Sequence, residues 1–230
     1  MAELPELVYY RAPDGIVVNL YTPSKAEVAL DGGPAVSIEQ ETRYPSAGDV
    51  RIRVNPAERA AFTLRLRIPR WCATATVRLN DEAERDVKPG AFHAIERTWQ
   101  TGDEVHVRMP MALRLVKGRK AQAGRVAIMH GPLVFCFNRA KNEALADEDQ
   151  RLLTIDPDTI EGPFPDDTVH PDGLACKVKA WRTTSWYPHG RHEFNLYLTE
   201  FPDPRGEATY WHVPNPNDKR FVEDELAGVG

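Results

Sequence analysis

Alternation of apolar and polar residues constrains the fold of this 230-residue chain more than any other feature. Residues 50–54 run Val-Arg-Ile-Arg-Val, and residues 62–68 run Phe-Thr-Leu-Arg-Leu-Arg-Ile. A period of two gives each segment one apolar and one polar face, which is typical of a half-buried strand. Further segments of this kind are residues 16–21, 75–79, 92–96, 105–109, 126–129 and 133–137.

Short turn sequences separate these segments, for example Pro45-Ser-Ala-Gly48 and Thr101-Gly-Asp103. Amphipathic helical periodicity is nearly absent, and residues 140–150, the best candidate, are polar all round and predict a loop or one turn. Many short strands with such breaks predict an all-β fold. We expect an antiparallel β-sandwich or jelly roll with a second, smaller β-sandwich-like part.

The domain organisation follows from where the alternation stops, near Phe137. We predict a β-sandwich domain over residues 1–140, and an acidic, Pro-rich linker or loop over residues 141–172. A smaller β region over residues 173–230 would form a second sandwich or return strands to the first.

Composition excludes several classes of partner. Lys and Arg number 29 against 34 Asp and Glu, so the net charge of -5 predicts no nucleic-acid partner. No stretch approaches the roughly 20 apolar residues of a membrane span, and no signal peptide is predicted, so we expect a soluble chain of unknown compartment with no membrane partner. Cys72, Cys136 and Cys176 are far apart and are expected to be buried small side chains.

Five phrases in the chain carry a resemblance to a known family. They are residues 14–24 (DGIVVNLYTPS), 40–45 (QETRYP), 66–71 (LRIPRW), 97–103 (RTWQTGD) and 126–134 (VAIMHGPLV). Their order resembles that in the region after the catalytic barrel of glycoside hydrolase family 127, the β-L-arabinofuranosidases. The likeness covers roughly the first 140 residues. Beyond residue 150 it is loose and depends mainly on residues 206–211.

This resemblance implies an (α/α)6 barrel elsewhere, since the family's cysteine nucleophile, zinc ligands and glutamate acid/base belong to that barrel. The present chain has no adjacent pair of cysteines. We therefore assign no catalytic residue, no metal ligand and no cofactor to it. The partners implied are a catalytic (α/α)6 barrel domain or a second copy of this chain, and an arabinose-containing glycan is an alternative ligand.

Candidate chemistry from the residues themselves is sparse. Glu96 and Asp103 flank Trp99 and could form the carboxylate pair of a small glycosidase, but a solvated strand residue and a turn former are the expected roles. His189 and His192 form the nearest histidine pair, and their Pro- and Gly-containing context is typical of a turn and not of a metal site.

Aromatic and basic residues provide two further hypotheses. Trp181, Trp186, Tyr187 and Trp211 could stack on sugar rings, or they could fill a second core or contact a missing barrel. If residues 50–54 and 62–68 were neighbouring strands, their four arginines would share one face, either as a site for an acidic glycan or as a solvated face with acidic partners. The latter is expected. Trp71 and Trp99 are expected to cap the core.

Three functions are therefore open. The leading hypothesis is a non-catalytic accessory β-sandwich module of a β-L-arabinofuranosidase-like enzyme, packing on a catalytic barrel or mediating dimerisation. The alternatives are a stand-alone carbohydrate-binding module and a small glycosidase with a carboxylate pair.

Overall fold

Strands dominate both halves of the chain. The computed structural model describes residues 7–145, 147–183, 193–201, 203 and 206–225. Two compact units divide the chain, unit 1 over Met1–Met111 and unit 2 over Ala112–Gly230. These described ranges contain no helix of seven residues or more, and the predicted all-β fold class is confirmed. None of their helices is long and apolar enough to cross a bilayer.

The described residues of unit 1 form ten strands in two sheets. The first sheet has the order β1-β2-β6-β9 and the second the order β3-β4-β5-β10-β7-β8. Most pairs are antiparallel, while β2 and β6 pair in parallel. The strands are β1 (Tyr9–Ala12), β2 (Gly15–Val18), β3 (Ser24–Ala29), β4 (Ala35–Thr42), β5 (Asp49–Pro56), β6 (Ala60–Ile68), β7 (Thr76–Leu79), β8 (Arg85–Asp86), β9 (Ala91–Trp99) and β10 (Asp103–Arg108).

One apolar core lies between the two sheets of unit 1. The inward residues Leu64 and Leu66 of β6 and Ile52 and Val54 of β5 are all fully buried in this core. Their arginine neighbours in sequence remain partly or fully exposed. The period of two therefore produces a sandwich face, as predicted for these segments.

Within its described residues, unit 2 has eight strands in one sheet, together with five short 3-10 turns. The strands are β11 (Leu113–Lys117), β12 (Arg125–His130), β13 (Leu133–Phe137), β14 (Leu153–Ile155), β15 (Glu161–Pro165), β16 (Leu174–Arg182), β17 (Phe194–Glu200) and β18 (Trp211–His212). The 3-10 turns are Lys120–Gln122, Arg139–Lys141, Glu143–Leu145, Gln150–Leu152 and Pro157–Thr159. Residues 140–150, for which a loop or one turn was predicted, overlap three of these 3-10 turns and form no longer helix among the described residues.

Six strands of unit 2 close into a barrel in the order β12-β13-β17-β16-β14-β18, because β18 also pairs with β12. The strands β11 and β15 extend this sheet beside β12 and β16. Inward side chains such as Phe135, Val178 and Leu196 are fully buried, so the barrel is a packed core. A small barrel filled by side chains in this way has no free interior for a ligand.

The predicted linker over residues 141–172 lies within unit 2, where its strands β14 and β15 both pair with β16. Strands β12 and β13, which fall within the predicted first domain, likewise pair with β17 and β18 in unit 2. The division between the units falls at Met111/Ala112 because these long-range pairings join the two ends of unit 2. Alternation within a segment does not show which partner the segment pairs with.

Candidate functional site

The carboxylate pair proposed from sequence consists of a buried turn residue and an exposed strand residue. Asp103 is only 2% exposed, and its two oxygens accept hydrogen bonds from Asn80 Nδ2 at 2.9 Å and from the Gln100 amide at 3.0 Å. Glu96 is an exposed residue of β9. Asp103 therefore fixes the turn where the chain passes from β9 to β10, and Gly102 provides the positive φ of 91° that this turn requires.

Trp99 packs inside the sandwich and is fully buried. Its indole Nε1 donates to the Phe62 carbonyl at 2.9 Å, and the two rings stack with centroids 5.6 Å apart. Trp71 is partly buried against the same core. Both tryptophans thus have the core role expected from sequence.

Two of the four aromatic residues proposed to bind sugar lie inside unit 2. Trp211 is fully buried, and its ring lies 6.4 Å from that of Phe137. Trp181 is 7% exposed. A ring packed in this way presents no open face to a sugar, so the core alternative describes these positions. Trp186 and Tyr187 lie outside the described residues, and sugar binding by them stays a prediction.

The four arginines proposed as one stripe lie on two different sheets. Arg51 and Arg53 belong to β5, whereas Arg65 and Arg67 belong to β6. The prediction of a shared face was wrong. Strands β5 and β6 are adjacent in sequence, but they lie in different sheets and do not pair with each other. The expectation of acidic partners is confirmed for Arg65, which makes two hydrogen bonds of 2.7 and 2.8 Å to Asp14.

Charged residues also cover the outer face of the six-stranded sheet. Arg53 bonds to Glu104 at 2.9 Å and to Glu41 at 2.5 Å, and Arg51 lies 3.5 Å from Glu41. The Arg53 bond lowers the pKa of Glu104. A cleft of about 520 Å³ on this face is lined by Glu41, Asp49, Val50, Arg51, Arg78, Glu84, His106, Val107 and Arg108. Because its three arginines are matched by three carboxylates, the cleft has no excess charge to select a ligand.

The last residue of β17, Glu200, has a buried carboxylate. Glu200 is 2% exposed and accepts hydrogen bonds from the Leu174 amide at 2.6 Å and from His170 Nε2 at 2.7 Å. The other ring nitrogen of His170 lies 2.8 Å from the Pro171 carbonyl. When both ring nitrogens of His170 carry a proton, one donates to the Glu200 carboxylate and the other to the Pro171 carbonyl. The Pro171 and Glu200 hydrogen bonds accordingly raise the pKa of His170.

No group of three or more His, Cys, Asp or Glu side chains suited to a metal ion occurs among the described residues. His189 and His192 lie outside them. The three cysteines are free and buried, as expected, and burial raises the pKa of Cys136 to about 11 and of Cys176 to about 12. Such thiols are poor nucleophiles and poor metal ligands.

A further constellation on the outer face of unit 2 was missed from sequence. We call Lys141, Phe164, Asp166, Lys177 and Tyr197 the aromatic–lysine cluster. The Phe164 and Tyr197 rings are half-buried and meet edge to face with centroids 5.7 Å apart. Lys177 Nζ lies 5.6 Å from both centroids, and Lys141 Nζ lies 5.4 Å from that of Tyr197. Most of these residues are far apart in sequence, and they meet because β15, β16 and β17 pair and the turn Arg139–Lys141 lies beside β17.

Hydrogen bonds hold the aromatic–lysine cluster in place. The Tyr197 hydroxyl donates to Asp166 Oδ2 at 2.5 Å, and burial together with this bond raises the pKa of Tyr197 to about 12. Asn142 holds the Tyr197 backbone through two bonds of 2.8 Å, one from its Nδ2 to the carbonyl and one from the amide to its Oδ1. Asn142 also directly follows Lys141, so the same contacts fix the turn that carries this lysine.

Comparison with known proteins shows a similarity to one family over part of the chain. Residues 15–111 match the family described as Beta-L-arabinofuranosidase, GH127 middle domain. The non-reducing end beta-L-arabinofuranosidase of Bifidobacterium longum subsp. longum is 29% identical over 152 residues, which is 62% of this chain and 22% of that protein. The match to the middle domain covers most of unit 1.

Solved structures share the fold over nearly the whole chain. A GH127 beta-L-arabinofuranosidase from Geobacillus stearothermophilus T6 is similar with a TM-score of 0.74 and 29% identity, covering 92% of this chain and 36% of that one. A GH127 beta-arabinofuranosidase at 24% identity has a TM-score of 0.71 and covers 96% of this chain and 38% of that one, and it supports the fold alone. This chain therefore corresponds to less than half the length of each relative.

Proposed function

We propose that this chain, whose residues 15–111 match the middle domain of family 127 glycoside hydrolases, is a non-catalytic accessory module that packs on a catalytic domain. The match of residues 15–111 to the middle domain carries this proposal. Structural relatives that contain this fold are much longer, and the share of their length outside the match leaves room for a separate catalytic domain.

The positions of the acidic residues support the same assignment. A glycosidase needs two carboxyl groups about 5 to 10 Å apart across an open sugar site. Asp103 is buried with both oxygens engaged in the turn, which removes it from solvent and from any substrate. The sequence pair that best suited this chemistry therefore lacks one of its two carboxylates, because Asp103 has a structural role.

Two measurements test the proposal. The purified chain is assayed on 4-nitrophenyl β-L-arabinofuranoside, and release of nitrophenol at the blank rate is expected. The chain is then mixed with the catalytic domain encoded in the same gene or beside it, and sedimentation velocity is expected to show a one-to-one complex. Turnover by the chain alone that persists after repurification would contradict the non-catalytic assignment, and its loss in Glu96→Gln would assign it to the carboxylate pair.

Sedimentation of the chain alone separates the two modes of packing. A monomer that forms a complex only with the catalytic domain supports packing on that domain. A stable dimer that leaves the catalytic domain free would instead favour the dimerisation role.

A further inference from the structure

We propose that the aromatic–lysine cluster binds a carboxylate-bearing sugar, such as a uronic acid residue of an oligosaccharide. This inference is independent of the accessory role, because every residue of the cluster belongs to unit 2, outside residues 15–111. It rests on two half-buried rings, two ammonium groups beside them and a carboxylate that is already engaged.

The charge of the cluster favours an anionic ligand. Lys141 lies 3.9 Å from Asp166, whereas Lys177 has no ion pair within the described part of the chain. Glu161 faces Lys177 across the strands in register, but no ion pair joins them. Asp166 is largely saturated, since its oxygens accept from the Thr168 amide at 2.8 Å and from the Tyr197 hydroxyl. Within the cluster itself, the polar groups not held by a hydrogen bond are therefore the two ammonium donors, which suit a carboxylate better than a hydroxyl.

The aromatic rings favour a sugar over a simple anion. Phe164 and Tyr197 form an L-shaped apolar surface through their edge-to-face contact, and the C–H face of a pyranose can pack against such a surface. Displacing an ammonium group from a partly exposed ring is not costly, because exposed cation–π contacts are weak. The ammonium groups of Lys141 and Lys177 would then bind the carboxylate while the rings contact the sugar carbons.

The supporting contacts make the cluster rigid before any ligand arrives. Asn142 anchors the Tyr197 backbone, and the side chain of Asp166 is 9% exposed and holds the Tyr197 hydroxyl. Only the lysines, of which Lys141 has a side chain 39% exposed, must be ordered on binding. A site with prepositioned rings loses less conformational entropy when it binds.

Nuclear magnetic resonance titration of the ¹⁵N-labelled full chain tests this proposal. The probe is trigalacturonic acid, and the neutral comparison ligand is β-1,4-galactotriose. We expect saturable shifts of the amides around Tyr197 with trigalacturonic acid, at least about tenfold weaker binding of the neutral trisaccharide, and weaker binding at high salt.

Variants locate the site. Lys177→Gln is expected to weaken binding of trigalacturonic acid about tenfold, and Phe164→Ala to weaken it by a similar factor. Lys179→Gln is the matched control, because Lys179 is an exposed lysine of the same strand with no ring contact in the described residues. It should bind as the parent does, and all three variants should keep the parent spectrum away from the cluster.

Three results would overturn the proposal. They are the absence of saturable shifts at millimolar trigalacturonic acid, equal affinity for the neutral trisaccharide, and unchanged affinity in Lys177→Gln and Phe164→Ala. Lys177→Gln should still associate with the catalytic domain as the parent does. Loss of sugar binding and loss of association are therefore separate outcomes, and each bears on one proposal only.

Discussion

The contact between His170 and Glu200 gives unit 2 a pH-dependent stability. The Pro171 carbonyl and the Glu200 carboxylate raise the pKa of His170, so the folded state binds a proton more tightly than the unfolded chain. The stabilisation is therefore complete below the ordinary histidine pKa of 6.5 and is lost as the pH rises through the higher folded value. His170→Ala removes this proton-binding group.

The size of the stabilisation depends on how deeply His170 and Glu200 are each buried. A hydrogen bond between charged groups is worth about 1.5–3 kcal/mol, and Glu200 is almost fully buried. The His170 side chain is 43% exposed, and screening by solvent reduces the value to about 1 kcal/mol. Glu200 keeps the Leu174 amide as its partner in the variant, so the carboxylate is not left without a hydrogen bond.

Native-state hydrogen exchange of the β17 amides measures this difference. At about pH 5.5 we expect exchange in His170→Ala to be about fivefold faster than in the parent, which corresponds to about 1 kcal/mol. At about pH 8.5 the ratio should approach one, because the parent imidazole is then mostly neutral. His106→Ala, in unit 1, serves as the control and should leave β17 unchanged at both pH values.

Other groups near Glu200 act in the opposite direction. Burial and the nearby Arg114 lower the pKa of His130, so its contribution is lost as the pH falls below 6.5. Comparing variant and parent at one pH cancels this effect, since both proteins retain His130. A ratio that is the same at both pH values, or larger at the higher one, would refute the assignment of a charged His170.

Three further predictions concern the cores and surface pairs. Trp99→Ala should lower the free energy of unfolding of unit 1 by about 3–5 kcal/mol, because it removes the stacking on Phe62 and the hydrogen bond to the Phe62 carbonyl. Urea unfolding measures this loss, and a loss below about 1 kcal/mol would contradict the packing. Arg65→Gln should leave the midpoint of urea unfolding close to that of the parent despite its two bonds to Asp14, since that aspartate is exposed and water replaces the bonds; a large fall in the midpoint would contradict this. The Cys176 thiol, with its pKa raised to about 12, should react with Ellman's reagent only after denaturation, and fast labelling of the native chain would show that it is not buried.

The strands were predictable because their alternation is local, but their partners were not. Strands β5 and β6 look like a hairpin in sequence, since only residues 57–59 separate them, yet they belong to opposite sheets. A short link can turn a chain within a sheet or carry it across to the facing sheet, and both leave the same alternation. The error over the arginine stripe followed directly from this ambiguity.

The candidate site was less predictable for a similar reason. Trp211 was a candidate for sugar binding because the two-residue strand β18 is too short to show which face is buried. Phe164 and Tyr197 were not proposed, since they lie on β15 and β17, on either side of β16. Asp103 was predictable, because an Asp after Gly at a strand end is typical of a turn.

The charged face of the six-stranded sheet is the surface least suited to the centre of a contact with a catalytic domain. Arg53, Glu41 and Glu104 already satisfy one another there, with bonds of 2.5 and 2.9 Å. Burying such a network removes its hydration and adds no new partner, so its desolvation opposes association. We therefore expect this face to stay in solvent when the module packs on its partner, and Arg53→Glu to leave the affinity for the catalytic domain within about twofold of the parent value.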